Sequence, residues 1–439
     1  MATIYGHDIK EYTVKEVWET GGAMPMLCSV HKLEKGDGPR CIVLDNTHLR
    51  YEEYGVDITE EQIRVWGSHR SFLKAFYKFM ELLWSNDDLT AAQALTGSIP
   101  LPAQPLRDKE DLRRILESLM ASDNFLYAQH MATGTDLEFL VDCYTTAAGQ
   151  GPAVVDFEMC CLRTRSRGEW SRALCHLVEY ASRGGIITTM HHWLNPLNPV
   201  ANSTWGSPGS IENWNAILTR GSEPNQVWHR DLDCAAEFLG ALKAAGVTCM
   251  FRPMFEANAD WFWYGIHKDV TTGDDLVRMW KYVYHYYVEE CGFDHLLWTY
   301  APNCTDMKEG SVPRSVKAYY PGDDYCDVVG CDWYTGGNYE IASDIYDGNS
   351  YDRLAEYGKP VCLAEWGVDG NGHKARLNTA DFMAVFERMR KEGKSLAFVE
   401  VYNDGFGAPM TVGKGEAISQ CPYIISLEDM PAYIEKVLQ

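Results

Sequence analysis

The chain has 439 residues, of which 46% are hydrophobic and 23% are charged, and its formal net charge at pH 7 is -23. This composition excludes a disordered chain and is typical of one large globular domain, or of one domain with an appendage. The acidic charge argues against binding to nucleic acid or to an anionic membrane, and it is compatible with a neutral substrate such as a polysaccharide.

The cysteines and the first residues indicate in which cellular compartment the protein works. Fourteen cysteines are scattered without metal-ligand spacing, and Cys249, Cys331 and Cys362 fall in apparent buried strands. The first eight residues lack a basic segment followed by an apolar one, and no window approaches the length of a membrane-spanning helix. We therefore expect reduced thiols and a cytoplasmic protein, or a secreted one if a leader has been trimmed.

The first hundred residues differ from the rest of the chain. Residues 42–44 predict a strand, and an apolar stripe predicts a helix that begins near Thr59. The Pro-rich stretch 97–105 is the best candidate for a domain boundary. We predict an ancillary α+β segment over 1–105, with no evident chemistry, and a main domain over 106–439.

Strand-like and helix-like runs alternate along the main domain. Helices are predicted between the strands, for example over 170–182, 230–245, 274–290 and 379–392. The eight predicted strands are 125–128, 153–157, 186–190, 247–251, 296–300, 328–331, 361–364 and 397–401. This alternation predicts an α/β fold, a (β/α)8 TIM barrel with its active site at the carboxyl ends of the strands. A doubly wound open sheet is the alternative, but no G-x-G-x-x-G turn supports a nucleotide site.

The segment 251–265 follows the fourth predicted strand and carries the densest chemistry. It presents Arg252, Glu256 and Asn258, followed at once by the aromatic run 261–264. A carboxylate beside flat aromatic rings is typical of a glycosidase, in which the carboxyl protonates a leaving oxygen and the rings stack on a sugar. The alternative is a core strand in which Glu256 is paired with Arg252.

Other strand ends are also polar, and in a barrel they would all face one mouth. They include His191 to Pro196 after the third strand, Asn303 after the fifth, Asp332 to Tyr334 on the sixth, Glu365 on the seventh, and Glu400 and Tyr402 on the eighth. Such convergence indicates a site more strongly than any single residue. Glu256 and Glu365 stand on opposite sides of the predicted mouth, as the two carboxylates of a retaining glycosidase would.

Four separated motifs resemble, in order, those of glycoside hydrolase family 26, best known for endo-β-1,4-mannanases. They are F-R-P-M-F-E-A-N-A-D-W-F-W-Y-G at 251–265, H-H-W-L-N-P at 191–196, the stretch 320–334, and K-P-V-C-L-A-E-W-G at 359–367. The resemblance covers roughly residues 110–405. It implies a retaining hydrolase of β-1,4-linked mannan, glucomannan or manno-oligosaccharides, with Glu256 as acid/base and Glu365 as nucleophile.

The resemblance also implies roles around the catalytic pair. Tyr334 would hydrogen-bond the nucleophile, His192 would contact the sugar at the cleavage subsite, Trp261 would form a stacking wall, and Trp298 would lie under the site. The remaining substrate-binding candidates are Arg252, Phe255, Asn258 and Tyr402. Three positions depart from the family pattern, which usually has His before the acid/base, Trp before the strand-three His, and Trp on strand eight: Phe255, His191 and Tyr402.

Several alternatives stay open on the sequence alone. Glu400 is interpreted as an ion-paired strand residue and Asp332 as a residue that positions an arginine or backbone groups. Adjacent His191 and His192 point to opposite faces of a strand, which disfavours one shared ion, so we predict neither a metal nor another cofactor. A β-glucanase or xylanase of the same family, a non-catalytic carbohydrate-binding barrel and a metal-dependent hydrolase are the competing functions, and the oligomeric state is open.

Overall fold

In the computed structural model, the residues described are 3–4, 7–8, 103–131, 149–164, 167–201, 203–304, 315–334, 350–367, 389–402 and 421–439. Of residues 161, 162, 164, 167–172 and 334 only the backbone is described. Near the amino terminus, Thr3–Ile4 pairs antiparallel with His7–Asp8. The strand predicted at 42–44 and the helix near Thr59 lie outside the described residues, and the domain boundary near residue 105 stays a prediction.

Eight parallel strands close into a barrel within these ranges, which confirms the (β/α)8 prediction. The strands are β1 (Phe125–Met131), β2 (Val154–Glu158), β3 (Ile186–Met190), β4 (Cys249–Arg252), β5 (Leu296–Tyr300), β6 (Val328–Tyr334), β7 (Val361–Gly367) and β8 (Phe398–Val401). Each strand pairs with the next, and β8 pairs back onto β1 with Phe398 opposite Leu126. The closure rules out the open doubly wound sheet. A short strand, β9 (Ile424–Ile425), extends the sheet beside the start of β1.

One helix precedes the first barrel strand, and the others lie between the strands or after them. They are α1 (Lys109–Met120), α2 (Arg167–Ser182), α3 (Ile211–Leu218), α4 (Glu223–Ala244), α5 (Gly273–His285), α6 (Ser350–Ala355) and α7 (Met430–Leu438). The helices predicted over 170–182, 230–245 and 274–290 are confirmed, the last ending in a π-helical turn, Tyr286–Glu290. Most of the helix predicted over 379–392 lies outside the described ranges.

The strands are buried on both faces, as parallel barrel strands are. Successive side chains alternate between the barrel interior and the helix layer. Phe251 lies opposite Trp298 in the sheet, and both rings contact Tyr287 on the helix side. The next residue, Arg252, therefore points inward, where its guanidinium meets carboxylates from other strands. This alternation determines which predicted residues reach the site.

Candidate active site

Glu256 lies in the turn that follows β4, with a left-handed backbone (φ 50°) that non-glycine residues rarely adopt. Two hydrogen bonds hold this turn: the Glu256 amide donates to the Ala301 carbonyl (2.8 Å), and the Ala259 amide donates to the Glu256 carbonyl (2.9 Å). The loop closes on itself at Gly265. Only glycine fits there, because a Cβ would come within 2.0 Å of the Ala259 carbonyl oxygen. The strain at Glu256 is thus held by its surroundings and aims the carboxyl into the mouth.

Two donors contact the Glu256 carboxyl. Trp261 Nε1 donates to Oε2 (3.0 Å), and Asn303 Nδ2 donates to Oε1 (2.6 Å). Asn258 fixes Asn303 in turn, since its side chain accepts from the Asn303 amide and donates to the Asn303 carbonyl. Burial and the charge of Glu365 nevertheless raise the pKa of Glu256 to about 8. At neutral pH Glu256 is therefore mostly a protonated acid.

Glu365 lies on β7 across the mouth from Glu256. One carboxylate oxygen from each of Glu256, Asp332 and Glu365 lies within 4.8 Å of the others. Arg252 Nη1 is 3.2 Å from Glu365 Oε1, in a pocket where the guanidinium is fully buried. Glu256 and Glu365 thus combine close approach with different electrostatic surroundings.

Arg252 is the centre of a buried ionic network at the base of the site. Its Nη2 is 2.6 Å from Asp156 Oδ2 and 3.3 Å from Glu400 Oε1, and its Nη1 is 3.3 Å from Asp332 Oδ1. His130 Nδ1 lies 3.1 Å from the same Asp156 oxygen. These contacts agree with the interpretation of Glu400 and Asp332 as residues that lie against an arginine, and among the described residues the carboxyl partners of Arg252 do not include Glu256.

One guanidinium cannot balance the four carboxyl groups around it, so they differ in ionisation. Burial and the charge of Glu365 raise the pKa of Asp332, and burial and the charge of Asp156 raise that of Glu400, both well above the usual range. Burial also acts to raise the pKa of Asp156, but the charge of Arg252 and the hydrogen bond from His130 lower it. The surroundings therefore favour the ionised form of Asp156 beside Arg252 and the protonated forms of Asp332 and Glu400.

His192 lies at the mouth, where its side chain is 17% exposed. Its Nδ1 bonds to Glu158 at the end of β2, and Glu158 Oε1 also accepts from the His192 amide (3.3 Å). Although burial opposes it, the charge and hydrogen bond of His192 hold the pKa of Glu158 well below its usual range. Phe255 and Phe262 contact the His192 ring edge-on, at centroid distances of 4.7 and 5.3 Å. Glu158 thus orients the imidazole towards the cleft.

A separate clamp holds the loop that carries His192. Asp231 on α4 accepts from Arg163 Nε (2.5 Å) and Nη2 (2.9 Å), lies 2.9 Å from His191 Nε2, and accepts from the Leu194 amide (2.8 Å). Arg163 also donates to the His192 carbonyl. His191 and His192 therefore bond to different carboxylates on different sides of the chain, as their adjacency predicts.

An exposed aromatic surface borders this loop. Trp205 is 60% exposed, and its ring lies 5.2 Å from that of Phe262. The backbone segments around the two residues pair, with Gly206 donating to Trp261 and Trp263 donating to Thr204. Trp205 and Trp261 consequently belong to one short ribbon beside Glu256. The sequence pattern did not point to Trp205, because its loop is distant in sequence from the acidic motif.

The structure brings only some of the predicted binding residues to the cleft. His192 and Trp261 reach it beside the carboxyl pair. Tyr334 ends β6 with its backbone opposite Gly367, and its side chain lies outside the described residues.

Four predicted binding residues support the site from beneath. Arg252 and Asn258 are buried and bond to protein groups, Phe255 is 2% exposed under His192, and Tyr402 is buried with its ring stacked on His130 at 4.4 Å. Burial and the charge of Glu365 raise the pKa of Tyr402, which places it near the carboxyl cluster. All four thus contact protein groups around the site, and their contact with a sugar stays a prediction.

Trp298 requires a correction. We expected it under the site, but its ring packs between β4 and the α5 layer, against Phe251, Trp280 and Tyr284. The register explains the difference, because Trp298 shares the outward side of the sheet with Phe251. Trp298 therefore belongs to the helix-facing core.

Three supporting residues receive no role from the sequence alone, namely Glu158, Asp231 and Asn303. The pattern of strand β2 indicates a role for Glu158, because Asp156 and Glu158 are both acidic and share one face of a five-residue strand. The sequence identifies Asn303 as a polar strand end, and its hydrogen bond to Glu256 is seen only in the structure. Asp231 gave no signal, since an acidic residue in an amphipathic helix is ordinary until its burial is known.

Within the described ranges, three groups of side chains bring metal-ligand atoms together. They are Glu256 with Asp332 and Glu365, His130 with Asp156 and Glu400, and Glu158 with Cys160 and His192. Arg252 contacts members of the first two groups and supplies the positive charge there, so they do not fit a cation. As for membranes, none of the helices described is both long and apolar enough to cross one.

Known proteins share this fold and parts of this sequence. Residues 116–389 match the model of glycosyl hydrolase family 26. Two mannan endo-1,4-β-mannosidases from Bacillus subtilis are 27% identical over 282 residues and 29% identical over 255 residues. These matches cover 62% and 56% of this chain and 72% and 65% of the relatives, about two thirds of their length. The structure of GH26A from a Muricauda species has a TM-score of 0.59 and 23% identity, covering 74% of this chain and 97% of that one. That likeness bears on the fold alone.

Proposed function

The chain belongs to glycosyl hydrolase family 26, and from this premise we propose that it hydrolyses β-1,4-linked mannan, glucomannan or manno-oligosaccharides with retention of anomeric configuration. The two relatives described above are both mannan endo-1,4-β-mannosidases, which supports mannan as the substrate class. The observation that carries the mechanism is the approach of the Glu256 and Glu365 carboxyl oxygens within 4.8 Å. Retaining glycosidases hold their carboxyl groups about 5–5.5 Å apart, whereas inverting enzymes leave about 6.5–9.5 Å for a water.

We assign the roles of the pair from their surroundings. Glu256 has a pKa of about 8 and is protonated, so it gives its proton to the glycosidic oxygen as the bond to the leaving sugar breaks. Glu365, beside Arg252, attacks the anomeric carbon and forms a glycosyl-enzyme ester. In the second step Glu256, now a carboxylate, takes a proton from water, which displaces Glu365 and restores both groups.

The remaining contacts are proposed for the cleft itself. We assign His192 the contact with the sugar at the cleavage subsite, which its orientation by Glu158 supports. Trp261 offers a ring face beside the acid while its N–H contacts Glu256. Trp205 extends this aromatic surface away from the carboxyl pair, and aromatic faces suit the apolar faces of sugars. Tyr334 remains our candidate for a hydrogen bond to Glu365.

Hydrolysis of mannan, glucomannan, mixed-linkage glucan and xylan, each with and without a chelator, tests this proposal. We expect mannan or glucomannan to be cleaved, unchanged by the chelator, and proton NMR of the first product to show the β-anomer. Loss of activity on chelation would favour the metal-dependent hydrolase. Binding without turnover would favour the carbohydrate-binding barrel, and a preference for glucan or xylan would replace mannan as substrate. Glu365→Gln serves as the inactive control.

We also propose that the protein works in a reducing compartment. Six cysteines of the described ranges are thiols that form no disulfide, three of them inside barrel strands: Cys175, Cys249, Cys291, Cys326, Cys331 and Cys362. Thiol titration of the denatured, unreduced protein tests this, and mostly paired cysteines would contradict it.

Residues 1–105 are proposed to be an ancillary segment, and removing them would test whether the barrel is active alone.

A further inference from the structure

Strand β2 ends beside the mouth and leads into a 3-10 turn, Met159–Thr164. Three different donor types converge there. One oxygen of Glu158, the sulfur of Cys160 and one ring nitrogen of His192 all lie within 4.8 Å of one another. The catalytic proposal uses Glu158 only to orient His192, and it gives Cys160 no role.

This set of donors is selective in its chemistry. A thiolate, an imidazole and a carboxylate are the ligands that Zn²⁺ takes in proteins, whereas Mg²⁺ and Ca²⁺ prefer oxygen ligands alone. Three protein ligands leave a fourth, open position for water, as in zinc sites with an exchangeable ligand. The spacing requires only small movements, since Zn–N and Zn–O bonds of about 2.0–2.2 Å and a Zn–S bond of about 2.3 Å hold their ligand atoms roughly 3–4 Å apart.

The surroundings prepare this cluster for a cation. The Cys160 amide (2.8 Å) and the His192 amide (3.3 Å) both donate to Glu158 Oε1, which fixes the carboxylate. Cys160 and His192 are each only partly buried, so an ion from solvent can reach them. Arg163 donates to the His192 carbonyl, and Asp231 offsets its charge through two contacts. In the two groups that contact Arg252, by contrast, the guanidinium itself lies against the carboxyl oxygens.

We propose that Glu158, Cys160 and His192 form an inhibitory binding site for Zn²⁺ at the mouth of the barrel. On binding, the thiol proton of Cys160 and the proton between His192 and Glu158 pass to the buffer, and the metal takes their place. No oxidant or reductant is involved. The inhibition rests on the proposed function, because a metal bound at Nδ1 replaces the bond to Glu158 and changes the position and charge of the imidazole that contacts the sugar at the cleavage subsite. The binding itself does not depend on that function.

Calorimetric titration of untagged, fully reduced protein with Zn²⁺ tests the binding. We expect the wild type to bind Zn²⁺ at one site and to show no comparable binding of Mg²⁺. Because binding releases protons that the buffer takes up, the measured heat should differ from one buffer to another. Cys160→Ala and the smaller change Cys160→Ser should each weaken Zn²⁺ binding on the order of 100-fold, since even loss of an outer-shell partner costs 10–100-fold. Cys234→Ala, at a half-buried cysteine on α4, is the matched control and should bind as the wild type does. Equal affinity in Cys160→Ala and wild type would overturn the proposal.

Cobalt provides a second measurement that does not require activity. Co²⁺ in this site should give a sulfur-to-metal charge-transfer band that is present in the wild type and in Cys234→Ala, and absent in Cys160→Ala. The same variants then test inhibition on mannan. Without Zn²⁺, Cys160→Ala should be as active as the wild type. Added Zn²⁺ should inhibit the wild type and leave Cys160→Ala largely unaffected. If no polysaccharide is cleaved, the proposed function fails while the titration and the cobalt band still decide the metal site.

Discussion

At the scale of single residues, two chemically identical carboxylic acids are made different by their neighbours. Glu256 is desolvated, contacts Trp261 and Asn303, and faces the charge of Glu365. Glu365 has the Arg252 guanidinium at 3.2 Å. A glycosidase needs an acid and a nucleophile at one pH, and it obtains them when different surroundings give two nearby carboxyl groups different pKa values.

Glu365→Ala and Glu256→Ala should each remove most activity on polysaccharide. A general acid contributes about 10²–10⁴-fold, and loss of a nucleophile stops the two-step route altogether. On an activated aryl glycoside Glu256→Ala should be partly spared, because a good leaving group needs little protonation. Added azide should then rescue this variant and give the β-glycosyl azide. Full activity in either variant would refute the assignment.

The pH profile should report the state of Glu256. Its pKa is raised to about 8 and its protonated form starts the reaction, so kcat/KM should fall as pH rises through about 8. Trp261→Phe removes an N–H donor that stabilises the carboxylate while it keeps an apolar ring, and the basic limb should then move to higher pH. An unchanged or lower basic limb in this variant would show that the hydrogen bond does not influence Glu256.

Phe255 is the departure from the family pattern that lies nearest the acid. Its ring packs under His192 at 4.7 Å and 5.6 Å from the Arg252 guanidinium carbon, so any effect on sugar selectivity passes through His192. Phe255→His introduces a hydrogen-bonding group beside Glu256 and His192, and we expect it to change the ratio of kcat/KM between manno- and gluco-oligosaccharides. It should also lower the basic limb through better solvation of the Glu256 carboxylate. If neither quantity changes, Phe255 only fills space.

At the scale of elements, the loop after β3 depends on a helix that is adjacent only in space. Asp231 of α4 holds Arg163, His191 and the Leu194 amide together, and this fixes the loop that presents His192. Although burial opposes it, His191 and Arg163 lower the pKa of Asp231 to about 2. Asp231 is therefore ionised at neutral pH, whereas burial lowers the pKa of His191.

Asp231→Ala should destabilise the fold and disturb the site together. Removing one member of a buried ion pair costs about 3–5 kcal/mol, because its partners lose their compensation. We expect a lower free energy of unfolding in urea and, in the folded fraction, a higher KM from the misplaced His192. Asp233→Ala, two residues away on the exposed side of α4, is the control. Equal effects of the two substitutions would show that burial of Asp231 does not matter.

At the scale of the whole molecule, the barrel gathers acids from four strands around a single guanidinium. The partners of Arg252 lie 96, 113 and 148 residues away in sequence at Asp156, Glu365 and Glu400. Burial and neighbouring carboxylates raise the pKa values of Asp332 and Glu400 well above the usual range, which favours their protonated forms in the folded state. Stability should therefore depend on pH through these buried acids.

We expect thermal stability to be highest at mildly acidic pH. Between the unfolded value of about 4.3 and the folded value of about 8, the folded state binds more protons at Glu256 than the unfolded state does, so stability falls as pH rises. Asp332 and Glu400 act in the same direction. Asp156, Glu158 and Asp231 have lowered pKa values, so their contribution is lost below about pH 4.

Calorimetric scans from pH 4 to 9 at a fixed scan rate measure this dependence. Glu256→Gln should flatten the decline in Tm between pH 5 and 8, because it removes one group that titrates on unfolding. Repeating the scans at high salt separates this effect from repulsion among surface charges. Salt screens the surface charges strongly, whereas it screens a buried group such as Glu256 much less. A Tm that rises steadily towards pH 8 would contradict the protonated states of Glu256, Asp332 and Glu400.

The sequence by itself determined the strands, the helices and the polar strand ends. Hydrophobic runs and their spacing are local, so eight strands were predicted within a few residues, and the motifs around Glu256, His192 and Glu365 could be located on them. Tertiary structure alone decided which side chains meet. Closure of the barrel turned Trp298 towards the helices, placed Arg252 under the site, and brought Glu158, Asn303 and Asp231 to groups in distant motifs. Alternation along a strand gives two faces, and only packing selects which face points inward. Burial then sets the charges, because desolvation and neighbouring charges act over a few ångströms that sequence distance does not measure.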